Sequence, residues 1–194
     1  MMEEKQSIMG PIIRMSLFLM VICGIIYPVA VTGIAQTISP AKANGSLVYD
    51  ENMNVIGSEL IGQSFSADSY FHGRISSIEN NGAGSGSNNY APSNADMIKR
   101  TLDSIEEWKK NNPETPVSEV PNDLLTNSGS GLDPHISPGA AYAQVKRISK
   151  ATGIDQSKLE NMIKQHTQGR ELGMFGEEKV NVLQLNLALK NMLN

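Results

Sequence analysis

The sequence predicts an α+β domain of mixed α/β layers, preceded by one N-terminal transmembrane helix and lying outside the cytoplasm. Three observations lead there. Residues Met15 to Ala41 carry no charge. Beyond them, short β-like runs alternate with stretches whose apolar residues recur at helical spacing, which is the pattern of layered α+β folds. The chain has 194 residues, enough for an anchor and one modest domain of about 100–200 residues.

Met15 to Ile34 reads as a continuous, mostly apolar segment, close to the ~20 residues a helix needs to cross a ~30 Å hydrocarbon core. Pro28 lies inside it and predicts a kink. Gly24, Thr32 and Gly33 are small enough to admit close helix neighbours. A cleaved signal peptide is the competing reading, with Ala41-Lys42-Ala43 as a cleavage-like tripeptide. The apolar stretch outruns the roughly 7–15 residues of a signal core, which favours a retained span. Lys5 and Arg14 before it, against Lys42 after it, point to a cytoplasmic N-terminus. The expected divisions are a cytoplasmic flank 1–14, a transmembrane helix 15–38 and an extracytoplasmic domain 43–194.

Leu47-Val48-Tyr49 and Val55-Ile56-Gly57 flank an Asp-Glu-Asn tip and read as a hairpin whose second run extends toward Gln63. Tyr70-Phe71-His72 is an aromatic cluster. Glu79 to Ser93 is rich in Asn, Gly and Ser and reads as a long loop. Ser93 with Asp96 resembles a capping box. Ile98, Leu102, Ile105 and Trp108 then mark an amphipathic helix to about Asn111. Pro113, Pro116 and Pro121 break up the next stretch, leaving Val117–Val120 and Asp123–Thr126 as expected strands.

Ser137 followed by Pro138 fits an N-cap with proline at the first helical position, and Ala141, Val145 and Ile148 extend one helix to Gly153. Asp155 caps the next helix, with Ile154 and Leu159 as a hydrophobic staple. Leu159, Met162, Ile163 and His166 share its face. Gly169–Glu178 reads as a loop, Lys179–Leu183 as a strand and Gln184–Leu193 as a terminal helix.

The net charge of −4 and the lack of a basic cluster argue against nucleic-acid binding. With Cys23 inside the apolar run, the exported part has no thiol for a disulfide, a zinc site or a nucleophile. His72, His135 and His166 show no metal-ligand spacing, so no metal site is expected.

The segment Ser128-Gly129-Ser130-Gly131-Leu132-Asp133-Pro134-His135-Ile136-Ser137 stands out. It matches neither a Walker A loop nor a nucleophile elbow. It reads as a rigid turn in which Asp133 bonds nearby amides, although a helix N-terminus behind small residues also suits an anion. Asp133, Pro134, His135 and Ser137 are therefore candidates for a structural or docking motif.

Four blocks, taken in order, resemble the KdpC family, the C subunit of the Kdp high-affinity potassium-transporting P-type ATPase. They are Val55 to Gln63, Tyr70-Phe71-His72-Gly73-Arg74, Ser128 to Pro138, and Val180-Asn181-Val182 with Leu185-Asn186-Leu187-Ala188-Leu189. The loop Ser87-Asn88-Asn89-Tyr90-Ala91-Pro92 departs from the family's commoner Ser-Asn-Leu-Gly-Pro.

The resemblance implies a non-catalytic accessory subunit in the cell membrane. Its expected partners are a potassium-channel-like subunit, a P-type ATPase subunit phosphorylated on aspartate, and a small single-span subunit. ATP and potassium are then handled by the complex, with no cofactor expected on this chain. The family is also proposed to raise ATP affinity through a segment corresponding to Ser128, Gly129, Ser130 and Gly131 together with Gln144. From outside the membrane such an effect would have to be allosteric. The alternative from another class is an exported, membrane-anchored metal-dependent hydrolase using the histidines with Asp133.

Overall fold

The computed structural model describes residues 8–193. The chain divides into two compact units, one ending at Ser46 and the other beginning at Leu47.

The first unit is a helix interrupted once. α1 (Met9–Val21) leads through a π-helical turn (Ile22–Ile26) into α2 (Tyr27–Ile38), and a short α3 (Pro40–Ala43) follows. Together Met9–Ile38 spans 30 residues with a mean hydropathy of 2.4 over its most apolar window. At 1.5 Å per residue it is about 45 Å long, enough to cross a bilayer. It starts at Met9 rather than Met15, because Ile12 and Ile13 continue the apolar run and an arginine such as Arg14 can extend its head group toward water.

At Pro28 the expected break takes a specific form. Tyr27 N–H donates to the Ile22 carbonyl, five residues back. The wider turn falls where the Pro28 ring would press on the Gly24 carbonyl and where its missing N–H would leave that carbonyl unpaired.

The second unit is α+β. β1 (Leu47–Tyr49) and β2 (Val55–Ser58) form an antiparallel hairpin with an irregular register at Val48/Tyr49. Asp50 closes its tip by accepting the amides of Asn52 and Asn54 at 2.9 and 2.8 Å. β2 stops at Ser58, short of Gln63. α4 (Ala95–Asn111) is capped by Asn94 rather than Ser93, and its Oδ1 accepts from Asp96 and Met97.

The two proline-bounded strands are not present. Val117–Glu119 is a 3-10 turn and α5 (Asn122–Leu125) a helical one. Pro116 and Pro121 each stand at the N-cap position with extended backbone, their carbonyls accepting from Glu119 and Leu124. Proline's fixed φ and missing donor suit a helix start better than a sheet ladder.

The predicted helix from Pro138 to Gly153 is also corrected, to α6 (Pro138–Ala143) and α7 (Val145–Thr152) with Gln144 between them. α7 ends on Gly153 in the left-handed region, φ 75°, where glycine is the residue of least cost. α8 (Gln156–His166) starts from Asp155, which accepts the Ser157 amide.

A three-stranded antiparallel sheet has the order β3-β5-β4, from His135–Ile136, Lys179–Asn181 and Thr167–Gln168 respectively. The final strand ends at Asn181, not Leu183, and α9 (Val182–Leu193) follows at once. Asn181 Oδ1 accepts the Gln184 amide at 3.2 Å, which helps turn the chain into the helix. α8 packs against α7, α6, α9 and β5. Ile148, Leu159, Ile163, Leu185, Leu189 and Val180 are fully buried between them, and Phe71 joins them from the loop side. Side chains of this size contribute about 1.5–3 kcal/mol each on burial, so this block is the domain's main source of stability.

Candidate functional site

The Ser128–Ser137 segment is held from several sides. Ser128 is 2% exposed, and its amide donates to the Ile75 carbonyl at 2.8 Å. Its hydroxyl accepts from Gly131 N–H at 3.1 Å and lies 3.2 Å from Ser130 Oγ, which in turn accepts from Leu132 N–H at 3.1 Å. Ser76 Oγ donates to the Gly131 carbonyl at 2.6 Å, and Gly86 N–H donates to the Ser130 carbonyl at 2.8 Å. The amides of Ser128, Gly131 and Leu132 and the hydroxyls of Ser128 and Ser130 are thereby engaged within the domain.

Gly131 has φ 71°, and a Cβ there would come within 2.6 Å of Ile78 Cγ1 and 3.0 Å of the Gly86 carbonyl. We expect Gly131→Ala to lower unfolding stability by about 1–2 kcal/mol through backbone strain and crowding. Denaturant titration of the full chain would check this; an unchanged midpoint would mean the loop over it yields freely.

Asp133 sits at the centre of the second half. Its Oδ2 accepts from Arg74 Nη1 at 2.9 Å, its Oδ1 accepts the His135 amide at 3.0 Å, and His135 Nδ1 lies 3.5 Å from Oδ1. Burial works to raise the Asp133 pKa, but the bonds from His135 and Arg74 outweigh it and hold the carboxyl at about 2. Arg74 also donates to the Asn127 carbonyl through Nη2. The Pro134 carbonyl accepts from Val182 N–H, and His135–Ile136 forms an edge of the three-stranded sheet. Ser137 caps α6 by accepting from Ala140 N–H. Asp123 in α5 accepts both the Ser137 amide and its hydroxyl, at 2.7 and 3.2 Å.

Gln144 lies elsewhere and is fully buried. Its Oε1 accepts from His72 N–H and Arg147 Nη2, both at 2.8 Å. Its Nε2 donates to the carbonyls of His72 and Ala140 at 3.1 and 3.2 Å. Asn186 does the same one residue back, accepting from Phe71 N–H at 2.8 Å and donating to the Phe71 carbonyl at 2.9 Å. Two side-chain amides thus stand in for a neighbouring strand. Arg147 completes the clamp by donating to the carbonyls of Asp68 and Tyr70 and to Asn112 Oδ1. Burial pushes its guanidinium down to about 10, against the pull of Asp68, which leaves it charged at neutral pH. Burial, with the Arg147 charge, also lowers the His72 pKa below its ordinary value.

The sequence-predicted residues therefore fall into two groups: Ser128 to Ser137 form one turn-and-strand motif, while Gln144 belongs to the clamp on residues 68–72. Arg74, Asp123, Arg147 and Asn186 were not singled out from the sequence for these roles. Arg74 and Asn186 lie inside the blocks that carry the family resemblance, but nothing local signals their partners.

Of the histidines proposed for a hydrolase, His135 lies against Asp133, and the other two are bonded to backbone carbonyls of their own segments. His72 Nε2 meets the Ala67 carbonyl and His166 Nδ1 the Met162 carbonyl. Among the described residues, no three His, Cys, Asp or Glu side chains gather in a metal-ligating group.

The family model described as KdpC, the c chain of the K+-transporting ATPase, matches residues 9–191. The chain belongs to the KdpC family. A potassium-transporting ATPase KdpC subunit of Bacillus cereus is 59% identical over 192 residues, covering 99% of this chain and 100% of its own. KdpC subunits of Bacillus anthracis and Bacillus thuringiensis subsp. konkukian are each 58% identical with the same coverage. Within this KdpC-family chain, each of the four blocks noted in the sequence contributes to one of these interactions: Glu59 and Gly62, Phe71 to Arg74, Ser128 to Ser137, and Asn181 with Asn186. The Glu59 carbonyl accepts from Asn181 Nδ2 at 2.8 Å, and Gly62 N–H donates to the Leu132 carbonyl at 2.7 Å.

Proposed function

We propose that this chain is a non-catalytic accessory subunit of an ATP-driven potassium uptake complex. It would hold its α+β domain on the extracytoplasmic face and assemble with a channel-like subunit, a phosphorylated ATPase subunit and a small single-span peptide. Full-length identity of 59% to a potassium-transporting ATPase KdpC subunit carries this reading. The apolar helix Met9–Ile38 supports membrane anchorage, and the excess of Lys5 and Arg14 over Lys42 supports a cytoplasmic N-terminus.

An influence on ATP affinity, in this reading, is indirect. The Gln144 amide group makes four bonds inside the domain, and Ser128 is buried. Neither offers a free group to a nucleotide. The chain would bind neither ATP nor potassium and would act by stabilising one arrangement of its partners, a coupling between distinct sites.

The complex purified with and without this chain provides the test. Omission is expected to impair assembly or to raise the ATP concentration needed for half-maximal potassium-dependent hydrolysis. A complex that assembles and works with unchanged ATP dependence would sink the proposal. Separately, a C-terminal reporter active only outside the cytoplasm is expected to score positive; a cytoplasmic signal would overturn the orientation.

A further inference from the structure

The loop between β4 and β5 presents large apolar side chains to solvent from an ordered scaffold. Leu172, Met174 and Phe175 are 90%, 76% and 62% exposed. Glu171 and Phe175 pair as an antiparallel bridge, each amide donating to the other's carbonyl at 2.9 Å. Gly173 N–H and Met174 N–H close the tip onto the carbonyls of Arg170 and Glu171 at 3.0 and 3.1 Å. The turn also places Leu172 at φ 52°, a region that a γ-branched residue enters only at a cost. A solvated tip would be better served there by glycine or asparagine. Backbone strain of this kind, joined to exposed apolar bulk, marks a surface made for something else to cover.

We infer that Leu172, Met174 and Phe175 form a plug that inserts into an apolar, basic-rimmed recess on another subunit of the potassium-transporting complex. The inference rests on the subunit role proposed above and names the surface that performs it. The choice of occupant follows from area and charge. Three side chains of this size offer roughly 400–500 Å², below the ~800 Å² per partner of a stable pair. A second copy meeting tip to tip is thus disfavoured, whereas one protruding anchor within a larger assembly suits the size.

The surroundings are acidic. Residues 169–178 hold Arg170 against Glu171, Glu177 and Glu178. Glu177 and Glu178 line a groove of about 550 Å³ that also includes Asp123, Asp133, Arg74 and Lys179, so its carboxylates outnumber its Lys and Arg by four to two. An anionic bilayer surface repels such a rim and attracts basic segments instead. A protein recess edged by Lys or Arg complements it, in the usual arrangement of an apolar anchor within a polar border.

The test places a photo-crosslinking residue at Phe175, and in parallel at exposed Lys158 on α8, in the full chain co-expressed with its complex. Position 175 is expected to give at least a tenfold excess of adduct to another subunit over position 158. Equal yields from the two positions, or adducts from 175 mainly to lipid or to a second copy, would overturn the inference. Co-purification of the unmodified chain is scored separately. If it fails, the subunit role falls. If it succeeds and position 175 gives no excess, only the docking surface falls.

Discussion

Replacing Gln144 with alanine is expected to destabilise the domain by about 3–5 kcal/mol. The substitution strips partners from the His72 amide and the His72 carbonyl, held against a residue that is fully buried, and removes one of the two acceptors of Arg147 Nη2, which keeps the Tyr70 carbonyl. Each buried polar group left unpaired costs about 1–3 kcal/mol, more when charged, and the lost side-chain volume adds a cavity. Small domains are stable by only about 5–15 kcal/mol, so the loss is a large share of the total. For a domain of this size it corresponds to a fall in Tm of roughly 8–15 °C, readable by circular dichroism of the full chain in detergent.

Gln144→Glu separates the contributions. A carboxylate retains the acceptor for His72 N–H and Arg147 but sets an oxygen against the carbonyls of His72 and Ala140, so its loss should be substantial yet smaller than that of alanine. The pair of variants also bears on the role that family resemblance implies for this residue. If Gln144→Ala alters the ATP dependence of the complex, it should do so together with the drop in Tm. Altered ATP dependence at unchanged Tm would show that Gln144 acts outside the clamp.

The same glutamine shows why parts of the fold were hidden in the sequence. Gln144 is a good helix former at an ordinary position between Ala141 and Val145, so local pattern predicts a continuous helix. The helix breaks where its side chain meets the backbone of His72, which lies 72 positions away. Asn186 and Phe71 are 115 apart. Such pairings leave no periodic trace.

The two-residue strands His135–Ile136 and Thr167–Gln168 are equally silent, because they exist only through β5. By contrast, the apolar N-terminal run, α4, the Asp155 cap and the Ser137-Pro138 start are encoded in neighbouring residues, and these were legible. Within the candidate site, the turn-forming character of Ser128 to Ser137 was visible in glycine, serine and proline. Its ion pair with Arg74, 59 residues away, was not.

That ion pair yields the second large effect. Asp133→Ala is expected to cost about 2–4 kcal/mol at neutral pH, because among the described residues it leaves Arg74, whose Nε is buried without a partner there, with only the Asn127 carbonyl and strips the acceptor from the His135 amide. Asp133→Asn isolates the charge. The carboxyl titrates at about 2 in the folded domain against 3.8 for the free group, and each unit is worth about 1.4 kcal/mol. Solvent still reaches 31% of the side chain, so we discount the full shift to about 1–2 kcal/mol. Because the folded pKa is depressed, this stabilisation is complete above pH ~4 and disappears as pH falls through ~2. The gap in unfolding free energy between wild type and Asp133→Asn should therefore be constant from pH 7 to 5 and narrow by about 1–2 kcal/mol between pH 4 and 2. Asp103→Asn, which removes an ion pair lying in open solvent with Lys99, should leave the shape of the curve unmoved. A gap for Asp133→Asn that stays level down to pH 2 would mean that the carboxylate's charge contributes nothing and that Asp133 serves only as a hydrogen-bond acceptor for His135.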